Sequence, residues 1–239
     1  NGEGVKGVIL QVQMDEDIQV KIEVEPTNLT DRFWKTVNNN YSRNPVSPNI
    51  IAYDKLQLEW EYETGSKGNI VFSTPTLTSD RVIVVTERGW IVSINPKTGK
   101  EQWSIRLGDS NRSSPTVEDG KVFVSGGNDQ KIYALNIENG QILWEKQLDQ
   151  MAIYESPLYR DGILYVSSGV TGGQSSGNPK VYALDANSGE EIWSFQLDGS
   201  SFASAALGDK YLYVGTYTSQ TLRALEPKTG EVVWTAKVN

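Results

Sequence analysis

Short runs of β-branched and aromatic residues recur along the chain and are separated by turn-forming dipeptides. Asp119-Gly120 and Asp161-Gly162 each precede such a run, and an Asp-Gly pair between two β-forming runs is typical of a tight hairpin turn. The region between these marks lacks the 3.6-residue period of an amphipathic helix. The runs are Val82–Val85, Val122–Val124, Leu164–Val166 and Tyr211–Val214. This pattern predicts an all-β chain of antiparallel hairpins.

The N-terminal part of the chain has apolar residues at every second position in two stretches. The first is 8–14 and the second is 18–24, with the acidic turn 15–17 between them and Pro26 after them. The alternation predicts a β-hairpin over residues 5–25 with one apolar face. An isolated hairpin is marginal in water, so this face is expected to pack on another part of the structure.

Five of the seven tryptophans recur at steps of 43, 41, 49 and 41 residues. A glycine lies four residues before each of the last four tryptophans, and a small residue lies six residues before each glycine. The tryptophans are Trp60, Trp103, Trp144, Trp193 and Trp234; the glycines are Gly99, Gly140, Gly189 and Gly230; the small residues are Ser93, Ala134, Ala183 and Ala224. A repeat of roughly 40 to 50 residues with strand patterning is typical of a four-stranded propeller blade.

Each repeat contains signals for four strands joined by short loops, which predicts a β-propeller of antiparallel blades. Residues 66–239 form four regular blades in this interpretation, and their bounds are about 66–107, 108–149, 150–197 and 198–239. Residues 28–65 form an irregular lead-in that ends in the outer strand around Trp60, and residues 1–27 form a hairpin extension. The Trp60 strand belongs to a fifth position that lacks its three inner strands.

Completion of this fifth position is expected, because open blade faces would expose a large apolar patch. Three sources of the missing strands remain open: the N-terminal segment, a second chain, or further sequence of a longer protein. The hairpin at 5–25 is the nearest source within the chain. It could act on its own chain or on a neighbour, and a second half-propeller could instead close an eight-bladed ring.

The repeated residues have structural roles in this prediction. Glycine supplies the positive φ that the tight turn before each tryptophan strand requires. The small residue ten positions before each tryptophan is expected to leave room for a ring of the adjacent blade. Tryptophan buries a large flat surface and keeps an N–H donor, which suits blade-to-blade docking.

Composition removes several classes of function. The net charge of −8 disfavours nucleic acid and anionic lipid as partners. The chain has no cysteine and no histidine, which excludes disulfides, thiolate catalysis and imidazole acid–base catalysis. No apolar run approaches the ~20 residues of a membrane helix, so membrane insertion is not expected.

The spacing Ala183-Leu184-Asp185 through Ser188-Gly189 to Trp193 resembles the tryptophan-docking repeat of the PQQ-like propellers. The resemblance covers about residues 56–239. Quinoprotein alcohol dehydrogenases share this repeat with binding propellers that hold no quinone, among them the scaffold lipoprotein of the bacterial outer-membrane barrel-assembly machine. The dehydrogenases carry a vicinal cysteine pair and a calcium held by Glu and Asn beside an Asp base. This sequence has no cysteine and no segment that matches the calcium arrangement, so no catalytic residue, metal or cofactor is predicted.

Candidate binding residues are expected on the propeller face that carries the loops between second and third strands. The third repeat has a polar insertion there, 170–179, which contains Gln174. Arg112, Tyr154 and Glu155 precede inner strands, which the family resemblance places at the mouth of the central channel. Such a set fits a polar ligand or a peptide, and it equally fits a solvated channel wall. Trp90 does not follow the spacing of the five recurring tryptophans. It is a candidate for contact with a partner or for plain packing.

The leading functional interpretation is a non-catalytic scaffold for protein interactions in the cell envelope (periplasm or surface) or outside the cell. A subunit of a surface assembly that exchanges N-terminal strands is one alternative, and a propeller that binds sugars or small molecules is another. A protein partner or self-association is therefore expected, with carbohydrate as a further candidate. Three sequons begin at Asn28, Asn40 and Asn111, and they are glycosylation candidates only in a compartment that glycosylates.

Overall fold

The computed structural model describes residues 58–67, 73–109, 112–148, 155–168, 179–199, 201 and 204–238, and the backbone of the strand pair 8–9 and 23–24. Four four-stranded antiparallel sheets make up the described part of the repeat region, each with its strands in chain order. These residues contain no α-helix and one short 3-10 turn, Gly65–Lys67. The predicted all-β architecture with four propeller blades is confirmed.

The N-terminal strands are β1 (Val8–Ile9) and β2 (Glu23–Val24). The first blade contains β3 (Thr76–Leu77), β4 (Val82–Val85), β5 (Trp90–Ile94) and β6 (Glu101–Arg106). The second contains β7 (Thr116–Glu118), β8 (Lys121–Ser125), β9 (Lys131–Asn136) and β10 (Ile142–Gln147). The third contains β11 (Leu158–Arg160), β12 (Ile163–Ser167), β13 (Lys180–Asp185) and β14 (Glu191–Gln196). The fourth contains β15 (Ala206–Leu207), β16 (Leu212–Thr216), β17 (Thr221–Leu225) and β18 (Val232–Lys237).

The turn between the first two strands of a blade shows why Asp-Gly occurs there. Asp119 and Gly120 have φ angles of 48° and 70°, and Asp161 and Gly162 have 51° and 80°. Two consecutive positive φ angles match the right-handed twist of the flanking strands, and Asp and Gly tolerate them best. The sequence therefore fixes these hairpins locally.

The turn before each outermost strand is also built alike in all four blades. In the third blade the Gly189 N–H donates to the Asp185 carbonyl over 2.8 Å, and Gly189 has a φ of 73°. The Asp185 carboxylate accepts hydrogen bonds from the N–H groups of Ser188 and Asn187 and from the Ser188 hydroxyl. These bonds, those from Ser188 first, lower the pKa of Asp185. The side chain thus caps the turn that its own backbone begins.

The hydrophobic core lies between blades. We call the side of a blade that meets the next blade in chain order its forward face, and the other side its back face. Phe123 and Leu148 of the second blade pack with Tyr182 and Leu184 of the third. Equivalent clusters join the first blade to the second and the third to the fourth. Each blade is therefore stabilised mainly by its neighbours, as in other repeat proteins.

The N-terminal part differs from the prediction in one respect. Val8 pairs with Val24 and Ile9 with Glu23 in an antiparallel two-stranded sheet, which is the pairing of the predicted hairpin. Residues 58–64, by contrast, form no strand, although the sequence predicts an outer strand from Leu56 to Tyr62. An outer strand requires an inner strand to pair with, and no described residue supplies one at this position. How the hairpin sits against the blades lies outside the described residues.

Candidate functional site

The tryptophan of each of the first three blades docks on the turn of the following blade, and these contacts frame every candidate site. The Trp103 Nε1–H donates to the Ile137 carbonyl at 2.8 Å, and the Trp144 Nε1–H donates to the Ala186 carbonyl at 3.1 Å. Trp193 donates in the same way to Pro227 at 2.9 Å. Trp60 precedes the first blade and donates to Pro96 at 2.7 Å. Ring burial and a directed hydrogen bond therefore fix each blade against the next.

The repeated glycines lie directly beneath these rings. A Cβ added to Gly189 would lie 2.7 Å from the ring of Trp144, and one added to Gly230 would lie 2.6 Å from the ring of Trp193. Gly99 and Gly140 are equally close to Trp60 and Trp103. Any larger residue would collide with the ring and would also strain the positive φ. Glycine thus serves both the turn and the docking of the preceding blade.

The small residue of the repeat lies beside the tryptophan of its own blade, and Ala134 shares a hydrophobic cluster with the Tyr159 and Tyr182 rings of the next blade. Ala134 pairs across the sheet with Trp144, and Ala183 pairs with Trp193. The space that it leaves is therefore next to the tryptophan of its own blade, whereas the ring of the preceding blade lies on the glycine. Cross-strand neighbours on one face of a sheet are close enough to explain this pairing of small with large.

Hydroxyl groups at the start of the innermost strands form a ladder that runs from blade to blade. The backbone N–H of Thr74 donates to the Ser114 hydroxyl at 2.8 Å, and Ser114 N–H donates to the Ser156 hydroxyl at 2.8 Å. Ser156 N–H donates to the Ser204 hydroxyl at 3.0 Å. Thr116 adds a hydrogen bond from its hydroxyl to the Pro157 carbonyl at 2.6 Å. We call this set the inner ladder, and three of its members, Thr74, Ser114 and Ser156, each directly precede a proline.

The loops between second and third strands and the connections between blades lie together at one end of the blades, since the strands are antiparallel. Arg112 is exposed at this end, where it precedes the first strand of the second blade. Glu155 precedes the first strand of the third blade and is only 5% exposed. The Glu155 carbonyl accepts a hydrogen bond from Ser125 at 2.9 Å. Tyr154 and Gln174 lie outside the described residues. Of the predicted channel-mouth set, the structure therefore places Arg112 and Glu155 on this face.

Trp90 lies at the same end of the first blade and is half-buried. It packs on the back face of that blade with Trp60 and Tyr62, against Val84 and Val92. The Lys67 ammonium lies 5.7 Å from the centre of its indole ring, within the range of a cation–π contact. Trp90 thus takes part in packing between the first blade and residues 58–67. The sequons at Asn28, Asn40 and Asn111 have their asparagines outside the described residues.

Residues 58–67 are attached to the first blade by a small polar cluster as well. Tyr62 hydroxyl and Lys67 ammonium both donate to the Glu101 carboxylate. Partial burial opposes ionisation of Glu101, but these two hydrogen bonds and a third from Ser104 lower its pKa to about 2. The cluster forms a polar edge to the docked Trp60.

A larger charged network, which no sequence motif indicates, lies on the fourth blade. The Arg223 guanidinium is largely buried and donates through both terminal nitrogens to the Asp198 carboxylate, one of them at 2.9 Å. Ser219 and Thr216 hydroxyls donate to the same carboxylate at 2.7 and 3.3 Å. The hydrogen bonds from Arg223 first, and then that from Ser219, lower the pKa of Asp198 to about 2. This network holds the loop 217–220 against the connection from the third blade.

The opposite end of the propeller carries an open polar pocket of about 570 Å³ where the second, third and fourth blades meet. Its lining includes Glu118, Asp161 and Asp209, and also Arg160, whose guanidinium donates to the Gly208 carbonyl at 2.7 Å. Tyr159 lines it too, and burial followed by a hydrogen bond to Asp119 raises the pKa of Tyr159 to about 12. The acidic side chains lie in or beside the turns that join the first two strands of each blade. Their presence in the pocket is therefore explained by the turns.

The described residues contain no group of three or more acidic side chains arranged to hold a metal ion. Within the same part of the chain, no helix has the length and apolar character needed to cross a membrane. The described part of the chain thus offers docking contacts between blades, two polar ends and one uncovered blade face.

That uncovered face is the forward face of the fourth blade. Trp234 is 39% exposed there, whereas Trp193 is 9% exposed on the third blade. Val238 is 56% exposed, whereas Leu197 is 3% exposed at the equivalent position four residues after the tryptophan. An open pocket of about 450 Å³ lies on the same face, lined by residues including Gly215, Leu222 and Val238.

Comparison with known proteins matches this frame to one family. The family model described as "Outer membrane protein assembly factor BamB", of the PQQ repeat type, matches residues 49–168 and 152–239. The protein of that name from Yersinia pestis is 24% identical over 131 residues, which is 48% of this chain and 32% of the relative. A polyvinylalcohol dehydrogenase from a Sphingopyxis species is 25% identical over 179 residues, 69% of this chain and 26% of the relative.

Solved structures show the same fold. Quinohemoprotein alcohol dehydrogenase from Comamonas testosteroni superposes with a TM-score of 0.75 at 18% identity, over 86% of this chain and 41% of that enzyme. The matched segment covers about a third or less of the two curated relatives, so this chain resembles one part of each. Since the family match extends from residue 49 to residue 239, the chain belongs to the PQQ-type propeller family described as outer membrane protein assembly factor BamB.

Proposed function

We propose that the chain is a non-catalytic propeller scaffold of the cell envelope that binds protein partners, in the way that an assembly factor does. The inner ladder is the observation that carries the non-catalytic part. The hydroxyl groups of Ser114, Ser156 and Ser204 accept hydrogen bonds from the backbone of the preceding blade, so they serve the ring rather than a substrate. Catalysis by a convergent set of side chains requires groups that are available to a reacting atom.

The relatives include both assembly factors and a dehydrogenase, and the residues of this chain favour the first. Acid–base and nucleophilic chemistry in this sequence cannot use cysteine or histidine, because it has neither. The described acidic residues do not gather into a metal-binding group. These features favour a role in binding over turnover.

The outer rim of the blades supplies a surface for a protein partner. Apolar side chains are exposed there on three adjacent blades, at the two positions before the docking tryptophan. Their exposed fractions are 43% for Ile142, 48% for Leu143, 48% for Ile192, 44% for Val232 and 45% for Val233. Exposed apolar residues that recur at one position on adjacent blades supply a surface that a protein partner can cover. We call these five residues the rim belt.

The negative charge near the rim belt indicates a further property of the expected partner. Glu145 and Glu191 are exposed on the same outer strands, and Glu231 directly precedes the belt residues of the fourth blade. The chain as a whole carries a net charge of −8. A partner with an apolar patch bordered by lysine or arginine would complement this surface in both respects.

The binding test uses soluble domains of outer membrane assembly proteins from the organism that encodes this chain, immobilised on a biosensor. The variant Leu143→Lys/Ile192→Lys should weaken binding by about tenfold or more, because lysine at the centre of an interface is desolvated. Gln102→Lys is the matched control, since Gln102 holds the equivalent position on the first blade outside the belt. Equal binding by both variants and the wild type would argue against the rim belt.

The catalytic test is separate. The purified chain is incubated with pyrroloquinoline quinone, Ca²⁺, primary alcohols and an artificial electron acceptor. The proposal expects no turnover above a sample without protein. Quinone-dependent reduction of the acceptor would overturn the non-catalytic assignment and would leave the binding test unaffected.

A further inference from the structure

The docking turn of the second blade contains a reactive dipeptide, Asn139-Gly140, and its glycine lies beneath the ring of Trp103. We propose that Asn139 is a site of spontaneous deamidation whose rate is controlled by docking of the first blade on this turn. The reaction is slow while Trp103 is docked and fast when the turn is released. This inference rests on contacts between the first and second blades and does not depend on the proposed function.

The chemistry of the dipeptide needs only water as a co-reactant. The backbone nitrogen of Gly140 attacks the side-chain carbonyl carbon Cγ of Asn139, and the new N–Cγ bond replaces the bond from Cγ to Nδ2. The nitrogen Nδ2 leaves as ammonia and takes the proton of the Gly140 N–H. Water then opens the cyclic imide at one of its two carbonyls, which gives aspartate or isoaspartate. Glycine favours the attack because it has no Cβ to obstruct it.

Among the four docking turns, the second blade alone has an amide side chain before the glycine. The other turns have Thr98, Ser188 and Thr229 at this position. Their hydroxyls accept a hydrogen bond from the N–H two residues later, at 3.4, 3.3 and 3.3 Å. The Asn139 oxygen Oδ1 accepts the corresponding bond from the Gln141 N–H at 3.0 Å. Asn139 therefore replaces a hydroxyl in the turn and adds an amide that can cyclise.

Hydrogen bonds of the folded turn oppose the cyclisation. The Gly140 N–H donates to the Asn136 carbonyl at 2.9 Å, which holds the attacking nitrogen in place together with its proton. The bond from the Gln141 N–H fixes the Asn139 carbonyl group, so its carbon cannot turn freely toward that nitrogen. Cyclisation therefore requires that the turn open first. The Asn139 side chain is exposed, so water reaches it without any further change.

Described residues of the first blade hold this turn closed through three contacts. A Cβ added to Gly140 would lie 2.6 Å from the Trp103 ring, so the ring covers the peptide that must rearrange. The Trp103 Nε1–H donates to the Ile137 carbonyl at 2.8 Å. The Arg81 guanidinium, which is largely buried, donates to the Glu138 carboxylate. Because all three contacts come from the first blade, opening of the turn is linked to local undocking of that blade.

The two products differ in how they fit the docked turn. In isoaspartate the main chain runs through Cβ and Cγ, which adds one atom to the backbone before Gly140. The close contact of Gly140 with the Trp103 ring leaves no space for this shift, so isoaspartate should weaken docking. Aspartate keeps the backbone length and an oxygen that can accept the Gln141 N–H. The lasting effect on docking is therefore assigned to isoaspartate.

The first test compares the reaction in the folded and the unfolded chain. Wild type is kept in mildly alkaline buffer with or without concentrated urea, and mass spectrometry follows conversion of the amide to a carboxyl in the tryptic peptide 132–146. Conversion at Asn139 should be at least about tenfold slower in the folded chain, because it waits for local opening. Asn139→Thr should abolish it in both samples. Equal rates with and without urea overturn the proposal.

The second test asks whether docking of Trp103 sets the rate. Trp103→Phe keeps a ring above Gly140 but removes the hydrogen bond to Ile137, and it should accelerate conversion at Asn139 about threefold or more. Trp193→Phe is the matched control, since it removes the same bond between the third and fourth blades and should leave the rate at Asn139 unchanged. Equal acceleration by both variants means that global unfolding limits the reaction and contradicts the inference, as does no acceleration by Trp103→Phe.

The third test measures what the modification does to the docked turn. Chains that contain isoaspartate at position 139 are separated by chromatography and compared with the variant Asn139→Asp, which has the added charge on a normal backbone. The Gly140 amide should exchange its hydrogen at least about tenfold faster in the isoaspartate chain, because its bond to Asn136 is lost. Equal exchange in the two proteins would show that the product leaves docking intact and would overturn this part of the inference.

Discussion

The third and fourth blades have the same sequence pattern, yet their forward faces are in opposite situations. In the third blade, Trp193 donates to Pro227, lies over Gly230 and is 9% exposed. In the fourth, Trp234 lies beside Tyr213, the equivalent of Tyr165 beside Trp193, and is 39% exposed. The residue type and the local strand geometry are therefore constant, and only the neighbouring blade differs. The comparison teaches that the repeat encodes a surface, and that stability comes when a second blade covers it.

The largest effect should come from the two equivalent tryptophans. Trp193→Ala removes a buried ring and its hydrogen bond, and we expect a loss of about 3–5 kcal/mol in the free energy of unfolding. Trp234→Ala should cost about 1 kcal/mol or less, because its ring is 39% exposed to water already. Urea denaturation of both variants gives the two values. Similar losses for both would mean that Trp234 is covered in solution.

The second largest effect concerns the glycine under a docked ring. Gly189→Ala places a methyl group 2.7 Å from the Trp144 ring and strains a φ of 73°. Gly162→Ala has a φ of 80° and meets nothing within 4 Å. We expect about 1–2 kcal/mol from the backbone alone and about 2 kcal/mol more at Gly189, where the ring must shift.

Thermal unfolding of these two variants separates backbone strain from loss of docking. The difference between them should appear as a larger drop in melting temperature for Gly189→Ala and a red shift in its tryptophan fluorescence. Equal drops without a spectral change would show that the contact with Trp144 does not contribute.

The blades could be predicted from the sequence because their signals are local. Asp-Gly turns, β-forming runs and the glycine four residues before each tryptophan all act within a few residues of where they stand. The predicted strand at Leu56–Tyr62 fails for the same reason. Its sequence has the strand pattern, but no described inner strand lies beside it to complete a ladder.

The polar arrangement of the candidate site could not be predicted in this way. Asp198 and Arg223 are 25 residues apart, and their pairing depends on how the fourth blade meets the connection from the third. The inner ladder joins residues about 40 apart, such as Thr74 and Ser114. Serine and threonine before proline are also common in loops without any such contact. Only the arc of blades brings these groups together.

A smaller effect is expected from the inner ladder. Ser156→Ala removes the acceptor for the Ser114 N–H, which is buried, and an unsatisfied buried donor costs about 1–3 kcal/mol. Thr74→Ser keeps the hydroxyl, to which no described residue donates a hydrogen bond. It should change the free energy of unfolding by less than about 0.5 kcal/mol. Hydrogen exchange at the Ser114 amide should be faster in Ser156→Ala than in wild type. Unchanged exchange there would remove the ladder as a stabilising element.

The smallest effect is the pH dependence contributed by Asp198. Its pKa is about 2 in the folded chain and 3.8 in an exposed reference carboxyl, with the Arg223 hydrogen bond as the largest cause. A carboxyl whose pKa is lowered by folding stabilises the fold above its unfolded pKa and loses that contribution as the pH falls through the folded value. The window is therefore from about pH 4 down to about pH 2. Because the Asp198 side chain is 45% exposed, solvent screening keeps the contribution below about 1 kcal/mol.

Asp198→Asn tests this last value against the third blade, whose connection carries no such pair among the described residues. The variant should have a flatter fall in unfolding free energy between pH 4 and pH 2 than wild type, and nearly the same value at pH 2. A double-mutant cycle with Arg223→Lys isolates the pair, because lysine keeps the charge but not the two-nitrogen geometry. Guanidinium titrations at several pH values supply the four free energies. If the unfolding free energy of Asp198→Asn falls with pH as steeply as that of wild type, then folding does not lower the pKa of Asp198. The network would in that case only position the loop 217–220.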